Sequence, residues 1–203
     1  RSRSLGVRVS DVFAQPDDAT PLDAEEREGL LQTWITTRAD LNEAEQANID
    51  EAVAWNGRRR SPNILSEGFV FELHKRMFGD VWSWAGSTRK TNKNIGVDPQ
   101  QIHVQLGGLL RDARYWIEHG SFSADEIAVR LHHGLVAIHP FPNGNGRHAR
   151  LMADLLIAQL GGEPFSWGGG TLRDIGTLRA EYIAALRAAD NHEFAPLLAF
   201  ARS

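Results

Sequence analysis

The 203-residue chain has no cysteine and only two methionines and two tyrosines. Without cysteine, disulfides and thiolate metal sites are excluded, and the composition suits a reducing cytoplasm. No run of about 18 uncharged apolar residues occurs, which excludes a helical membrane span. The N-terminal RSRSLGVRVSDVF lacks the apolar stretch of an export signal. Charge of one sign is also missing. The 22 basic and 26 acidic side chains leave a net charge of -4, so no global field draws the chain to nucleic acid or an anionic membrane, and any anion site must be local. The P-loop pattern GxxxxGK[ST] is absent. Apolar residues, at 42%, suffice for one well-filled core.

Spacing of those residues predicts an almost entirely helical domain. Residues 1–40 read as an acidic, Pro-containing arm with an amphipathic segment from about Asp23, and residues 41–203 as the domain. A first helix presents Leu41, Ile49 and Val53 or Ala54 and stops at AWNGRRRSPN. The arginines there, Arg58 to Arg60, are expected in a solvated loop without aromatic partners. A second helix spans about Pro62 to Phe78, and Gly79 ends it. The turn-rich VWSWAGSTRKTNKNIGVDPQ is the one expected β element, a short hairpin over about Gly86 to Gly96. Ile102, Leu106, Leu109 or Leu110, Ala113 and Ile117 then mark a helix closed by Gly120, with Gly107-Gly108 suggesting close helix packing. Ser123 and Glu126 form a capping-box pattern ahead of Ile127, Leu131, Leu135 and Ile138. Helical spacing resumes after Gly146 and again over about Leu172 to Ala189 and Phe194 to Ala201.

Chemistry concentrates in HPFPNGNGRHAR, His139 to Arg150. Gly144-Asn145-Gly146 opens a helix, where free N–H groups and the helix dipole favour an anion. Arg147 and Arg150, three apart, lie on one side of the first turn and can bond the same phosphate-bearing ligand. His139 ends the preceding helix at the same loop, and a neutral imidazole there can take a proton from an incoming hydroxyl. The formal GxGxxA match lacks the preceding strand of a dinucleotide fold. His132, His133, His139 and His148 do not have zinc-ligand spacing, so His132, His133 and His148 are expected to be satisfied or exposed.

These residues resemble the signature HPFx[D/E]GNGRxxR of the Fic/Doc fold proteins. LHKRMFGDVWSWAGSTR and RAEYIAALRAADNHEFAPLLAF resemble the family's flanking helices, so the likeness covers about residues 41–201. With ITTRADLNEAEQANI, the chain looks most like the bacterial subgroup called mobile mystery protein B. The resemblance implies an all-α Fic fold, a helical bundle with one short β-hairpin flap. It also implies a protein adenylyltransferase that moves AMP from ATP, its co-substrate, to a Ser, Thr or Tyr hydroxyl of a target protein. In that scheme His139 is the general base and Phe141 anchors the loop. Asn143, Gly144, Asn145 and Gly146 hold phosphates, and Arg147 and Arg150 take the β- and γ-phosphates. Ser87, Thr88, Arg89, Lys90 and Thr91 form the flap that aligns the target.

One signature position departs. Asn143 stands where the family has the Asp or Glu that holds Mg²⁺, and an amide is a weaker ligand for that ion. Weak adenylyl transfer, transfer of another nucleotide or phosphate, AMP removal and an inactive descendant all fit that change. So does a nucleotide-binding member of a toxin-antitoxin-like pair, with a separate inhibitor protein as partner. Within the arm, Glu28-Gly29 partly matches the family's inhibitory motif [S/T]xxxE[G/N], which implies a Glu28 carboxylate paired with Arg150.

Overall fold

In the computed structural model, which describes residues 21–59, 62–169 and 175–203, the chain is a helical bundle centred on the helix that leads into HPFPNGNGRHAR. The elements are α1 (Ala24–Arg27), α2 (Arg38–Gly57), α3 (Glu67–Phe78), α4 (Ile102–His119), α5 (Ala124–Ile138), α6 (Asn145–Gln159), α7 (Ile175–Asp190) and α8 (Ala195–Arg202), with a 3₁₀ turn at Pro99–Gln101. Helix α5 buries Ile127, Val129, Leu131, Leu135 and Ile138 and packs against α4, α6 and α8, while α3 joins α2 to α6. Arg60, and the part before Ile175 of the helix expected over Leu172 to Ala189, lie outside the described residues, as does the arm before Pro21.

Local chemistry sets the boundaries. Thr37 and Asp40 form a full capping box at α2, and Asp23 and Glu26 form another at α1. Ser66 caps α3, so that helix starts later than Pro62. At α5 only half of the expected box exists: Ser123 accepts from the Glu126 N–H, but the Glu126 carboxylate turns to Arg130. Gly107 and Gly108 are not a helix contact, because a Cβ on either would meet only Arg111 at 3.9 Å. The close approach of α4 and α5 is instead at Gly134, where a Cβ would lie 2.5 Å from the Leu109 side chain. Arg59 also departs from the expectation of bare arginines, since its guanidinium lies 4.7 Å over Trp55.

The buried face of α2 is not the expected one. Leu41, Glu45, Asn48 and Ala52 point inward, whereas Val53 is 46% exposed. Asn48 donates to the Arg76 carbonyl at 3.0 Å and accepts from the Asp80 N–H at 3.0 Å, closing the C-terminal end of α3. The two polar residues in the middle of the stripe masked its true register.

No strand occurs among the described residues, which corrects the hairpin expected at Gly86 to Gly96. One antiparallel bridge, Leu30 with Trp82, pins the arm beside the end of α3. The flap segment forms bends around the buried Arg89, whose side chain donates to the carbonyls of Thr91, Val97, Ile138 and His139. Those carbonyls are satisfied by a guanidinium, so no cross-strand ladder is needed.

Four imidazoles are buried and neutral. Burial holds His132 down at about 3 and His148 and His139 at about 4, and it pushes His74 well below the ordinary 6.5. Nearby positive groups reinforce this for His74 and His132. A depressed histidine gives stability that is fully present above about pH 6.5 and is lost as pH falls toward the folded values, because the unfolded chain takes protons that the folded chain refuses. Each imidazole then costs on the order of 2 kcal/mol at pH 5. Urea titrations should show a loss of several kcal/mol between pH 7.5 and 5, above the range where carboxylates titrate. A flat profile across that interval would contradict the buried neutral assignment.

Candidate functional site

The loop from His139 to Gly144 is set by side chains that bond its backbone from three directions. His139 ends α5 in the left-handed region, at φ 53, a conformation that non-glycine residues hold only when their surroundings enforce it. Arg89 supplies the enforcement: its Nε donates to the His139 carbonyl at 2.6 Å, and its own N–H donates to the Pro140 carbonyl at 2.9 Å. Gly96 seals this contact, since a Cβ there would lie 2.7 Å from Arg89 Nη2 and 2.8 Å from His139 Cβ.

Deeper in the loop, Phe141 is fully buried, as expected of an anchor, and stacks on His74 with ring centroids 3.6 Å apart. The Asn145 amide closes on Phe141 from the other side, accepting from its N–H at 2.9 Å and donating to its carbonyl at 2.8 Å. Asn145 is 3% exposed. Its side chain therefore shapes the loop from within.

His74 was not singled out by the sequence reading. The Gly86 N–H donates to His74 Nδ1 at 3.0 Å, so the ring hydrogen sits on Nε2 and is given to the Asn143 carbonyl, also at 3.0 Å. One neutral imidazole thus joins the base of the flap to the backbone of the loop between α5 and α6. The only sequence signal was LHKRMF placing a histidine on the apolar side of a helix.

Gly144 caps α6 at φ 78, and a Cβ would sit 2.6 Å from the Phe78 ring. No side chain caps α6, so the first-turn N–H groups around Gly146 face outward, and apart from its own helix backbone nothing lies within 4 Å of a Cβ built at Gly146. Arg147 lies 4.9 Å over Phe78 and pairs with Glu45 at 2.8 Å. Arg150 lies 5.5 Å over Tyr182 and donates to the Gly146 carbonyl at 3.3 Å. The two guanidiniums thus flank the open turn from separate supports.

His139 is 6% exposed, and neither ring nitrogen has a hydrogen-bond partner among the described residues. Burial first, then the Arg89 charge beneath it and that of Lys93, lower its pKa to about 4 against a smaller opposing pull from the Val136 backbone. The ring is an uncommitted base at neutral pH. The other histidines are structural: His132 bonds the Tyr182 hydroxyl at 3.0 Å, His133 meets Asp190 at 2.8 Å and His148 bonds the Val70 carbonyl at 3.0 Å.

Asn143 does not fit a resident Mg²⁺. Its Oδ1 accepts from the Gly144 N–H at 2.8 Å, and no cluster of three acidic, His or Cys groups suited to a metal occurs among the described residues. Of the flap residues, Arg89 is 2% exposed and spent on carbonyls, which places it under the site and not against a target. Ser87 and Lys90 are exposed, Thr88 is half-buried, and Thr91 donates to Asp23 at 3.0 Å. A groove between the flap and α1 runs along Glu25, Trp84, Ser87, Thr88 and Lys90 to Pro142 of the loop. Lys93, nearly buried, pairs with Glu26 and ties the arm to the flap. Glu28 is exposed at the end of α1, and no ion pair joins it to Arg150 among the described residues.

Residues 64–157 match the model of the Fic/DOC family. Protein adenylyltransferase fic-1 of Caenorhabditis elegans is 31% identical over 139 residues, which are 64% of this chain and 25% of that protein. The chain thus spans about a quarter of that relative's length. The solved structure of C. elegans Fic-1 (residues 134–508) superposes with a TM-score of 0.63 at 26% identity, covering 86% of this chain and 56% of that one. BepC of Bartonella tribocorum, solved with bound AMPPNP, shares the fold with a TM-score of 0.66 at 19% identity, covering 89% of this chain and 97% of that one.

Two substitutions test the loop. Gly144→Ala forces a side chain into Phe78 at positive φ and should lower stability by about 2–4 kcal/mol in urea, whereas Gly146→Ala should leave it unchanged or raised by up to about 1 kcal/mol. Equal effects would contradict the loop geometry. Asn143→Asp should raise Mg²⁺ affinity roughly ten-fold or more by calorimetry without nucleotide. An unchanged affinity would show that this position does not govern metal binding.

Proposed function

We propose, from the premise that this chain belongs to the Fic/DOC family, that it is a protein adenylyltransferase moving AMP from ATP to a side-chain hydroxyl of another protein. The observation that carries the reading is the buried, neutral and uncommitted imidazole of His139 on the same loop as an uncapped helix N-terminus and two guanidiniums. The family supplies the reaction class, and the site supplies groups for each part of it.

In this reading the polyphosphate lies at the first turn of α6, held by the outward N–H groups around Gly146. Arg147 and Arg150 take the β- and γ-phosphates. The target hydroxyl oxygen attacks the α-phosphorus as its proton passes to a His139 ring nitrogen. The bond from that phosphorus to the bridging oxygen breaks, and pyrophosphate leaves with its charge stabilised by both arginines. A pKa near 4 makes His139 a weak base in the resting state; approach of the nucleotide's negative charge raises its basicity when the proton must move. No step needs a metal held by the protein, and any Mg²⁺ would arrive on the substrate's phosphates.

The exposed flap edge at Ser87, Thr88 and Lys90, with the groove that ends at Pro142, is the surface against which a target segment would lie. Arg89 belongs beneath it as a support.

Incubation with cell lysate and ATP labelled at either the α- or the γ-phosphate tests the reading. Label should enter protein from the α position only. His139→Ala should lower the rate by roughly 10²-fold or more while ATP affinity changes only a few-fold. Incorporation from the γ position would mean phosphate transfer, and equal loss of binding and rate would remove His139 from the role of base.

A further inference from the structure

Among the described residues, the carboxylate paired with Arg147 comes from α2. Glu45 lies mid-helix and is 3% exposed. Its Oε1 accepts from the Trp82 indole N–H at 2.7 Å, and its Oε2 lies 2.8 Å from Arg147 Nη2. No aligned hydrogen-bond donor meets Oε2, so its contact with Arg147 is an ion pair rather than a hydrogen bond. The Arg147 side chain keeps 32% of its surface exposed and rests on the Phe78 face. Arg38, from the first turn of α2, adds a second positive charge that Glu45 attracts and Arg147 repels.

We propose that Glu45 is the positioning residue for Arg147, holding the guanidinium over Phe78 with its donors turned outward to the leaving phosphates. This rests on the adenylyl-transfer reading above. A removable brake would need a carboxylate that can withdraw. Glu45 cannot, because Trp82 fixes its other oxygen, and because separating a buried ion pair leaves an uncompensated charge. What the arrangement provides is preorganisation: a flexible side chain is ordered before substrate arrives, by a charge that does not use up its hydrogen bonds. The sequence placed Glu45 in ITTRADLNEAEQANI without assigning it a contact.

The test compares Glu45→Gln, Arg147→Ala and the double variant. Glutamine keeps the volume and the acceptor for Trp82 but removes the charge. Transfer kcat should fall roughly 10- to 100-fold, the scale on which supporting partners of reactive groups act, with KM for ATP within a few-fold. In the Arg147→Ala background the same change should add less than about two-fold. An unchanged or higher kcat in Glu45→Gln, or an equal further loss without Arg147, overturns the proposal. NMR relaxation of the Arg147 Nε–Hε group is the independent measurement: rigid in the parent and mobile in Glu45→Gln if the proposal holds, equally mobile in both if it does not. Should the parent transfer no AMP at all, the functional reading fails by itself and the NMR comparison decides Glu45. If Glu45→Gln does not fold, Glu45→Asp, which withdraws the charge by one methylene, carries the same expectation.

Discussion

The site hangs on a buried guanidinium. Arg89 is buried beneath the loop and gives its donors to the carbonyls of Thr91, Val97, Ile138 and His139. A charge in that position is tolerable because several carbonyl dipoles converge on it. In return it fixes the end of α5, the start of the loop and the return of the flap at one point. His139 can hold a left-handed backbone only while its carbonyl stays there. Burial first, and then the same charge, keep the His139 ring neutral, so Arg89 bears on both backbone geometry and proton affinity.

The residues that bear on chemistry were largely legible in the sequence, and those that support them were not. Helix count, the loop between α5 and α6 and the α6 N-terminus follow from apolar spacing and glycine placement, which are local properties. Asn145 was read only as one of the loop residues that hold phosphates, and that its amide closes on Phe141 was not foreseen. Arg89 was read as facing a target, yet it lies underneath. Both are polar residues in a motif otherwise suited to anions, and only the tertiary fold decides whether such a side chain turns in or out. The hairpin failed for a related reason: turn residues and alternation cannot reveal that a side chain will satisfy the carbonyls.

Helix α2 carries the same lesson in its packing. Its inward stripe has Glu45 and Asn48 at the centre, so hydrophobic periodicity selects a face displaced toward Ile49 and Val53. Asn48 finishes α3 and Glu45 reaches the signature arginine. A helix that is nearly featureless as an amphipathic element is therefore a polar bracket between the core and the site. Buried polar groups of this kind specify one arrangement, because every alternative register leaves them unpaired.

The His74 bridge has a mechanical meaning. Through one rigid ring the Gly86 amide and the Asn143 carbonyl are separated by two hydrogen bonds and no rotatable bond. Displacing the base of the flap pulls directly on the carbonyl that sets the loop between α5 and α6, and tightening the loop around a ligand pulls back on the flap. Nucleotide and target segment would thus feel each other without touching. By reciprocity, whatever free energy one spends in ordering this linkage is spared to the other.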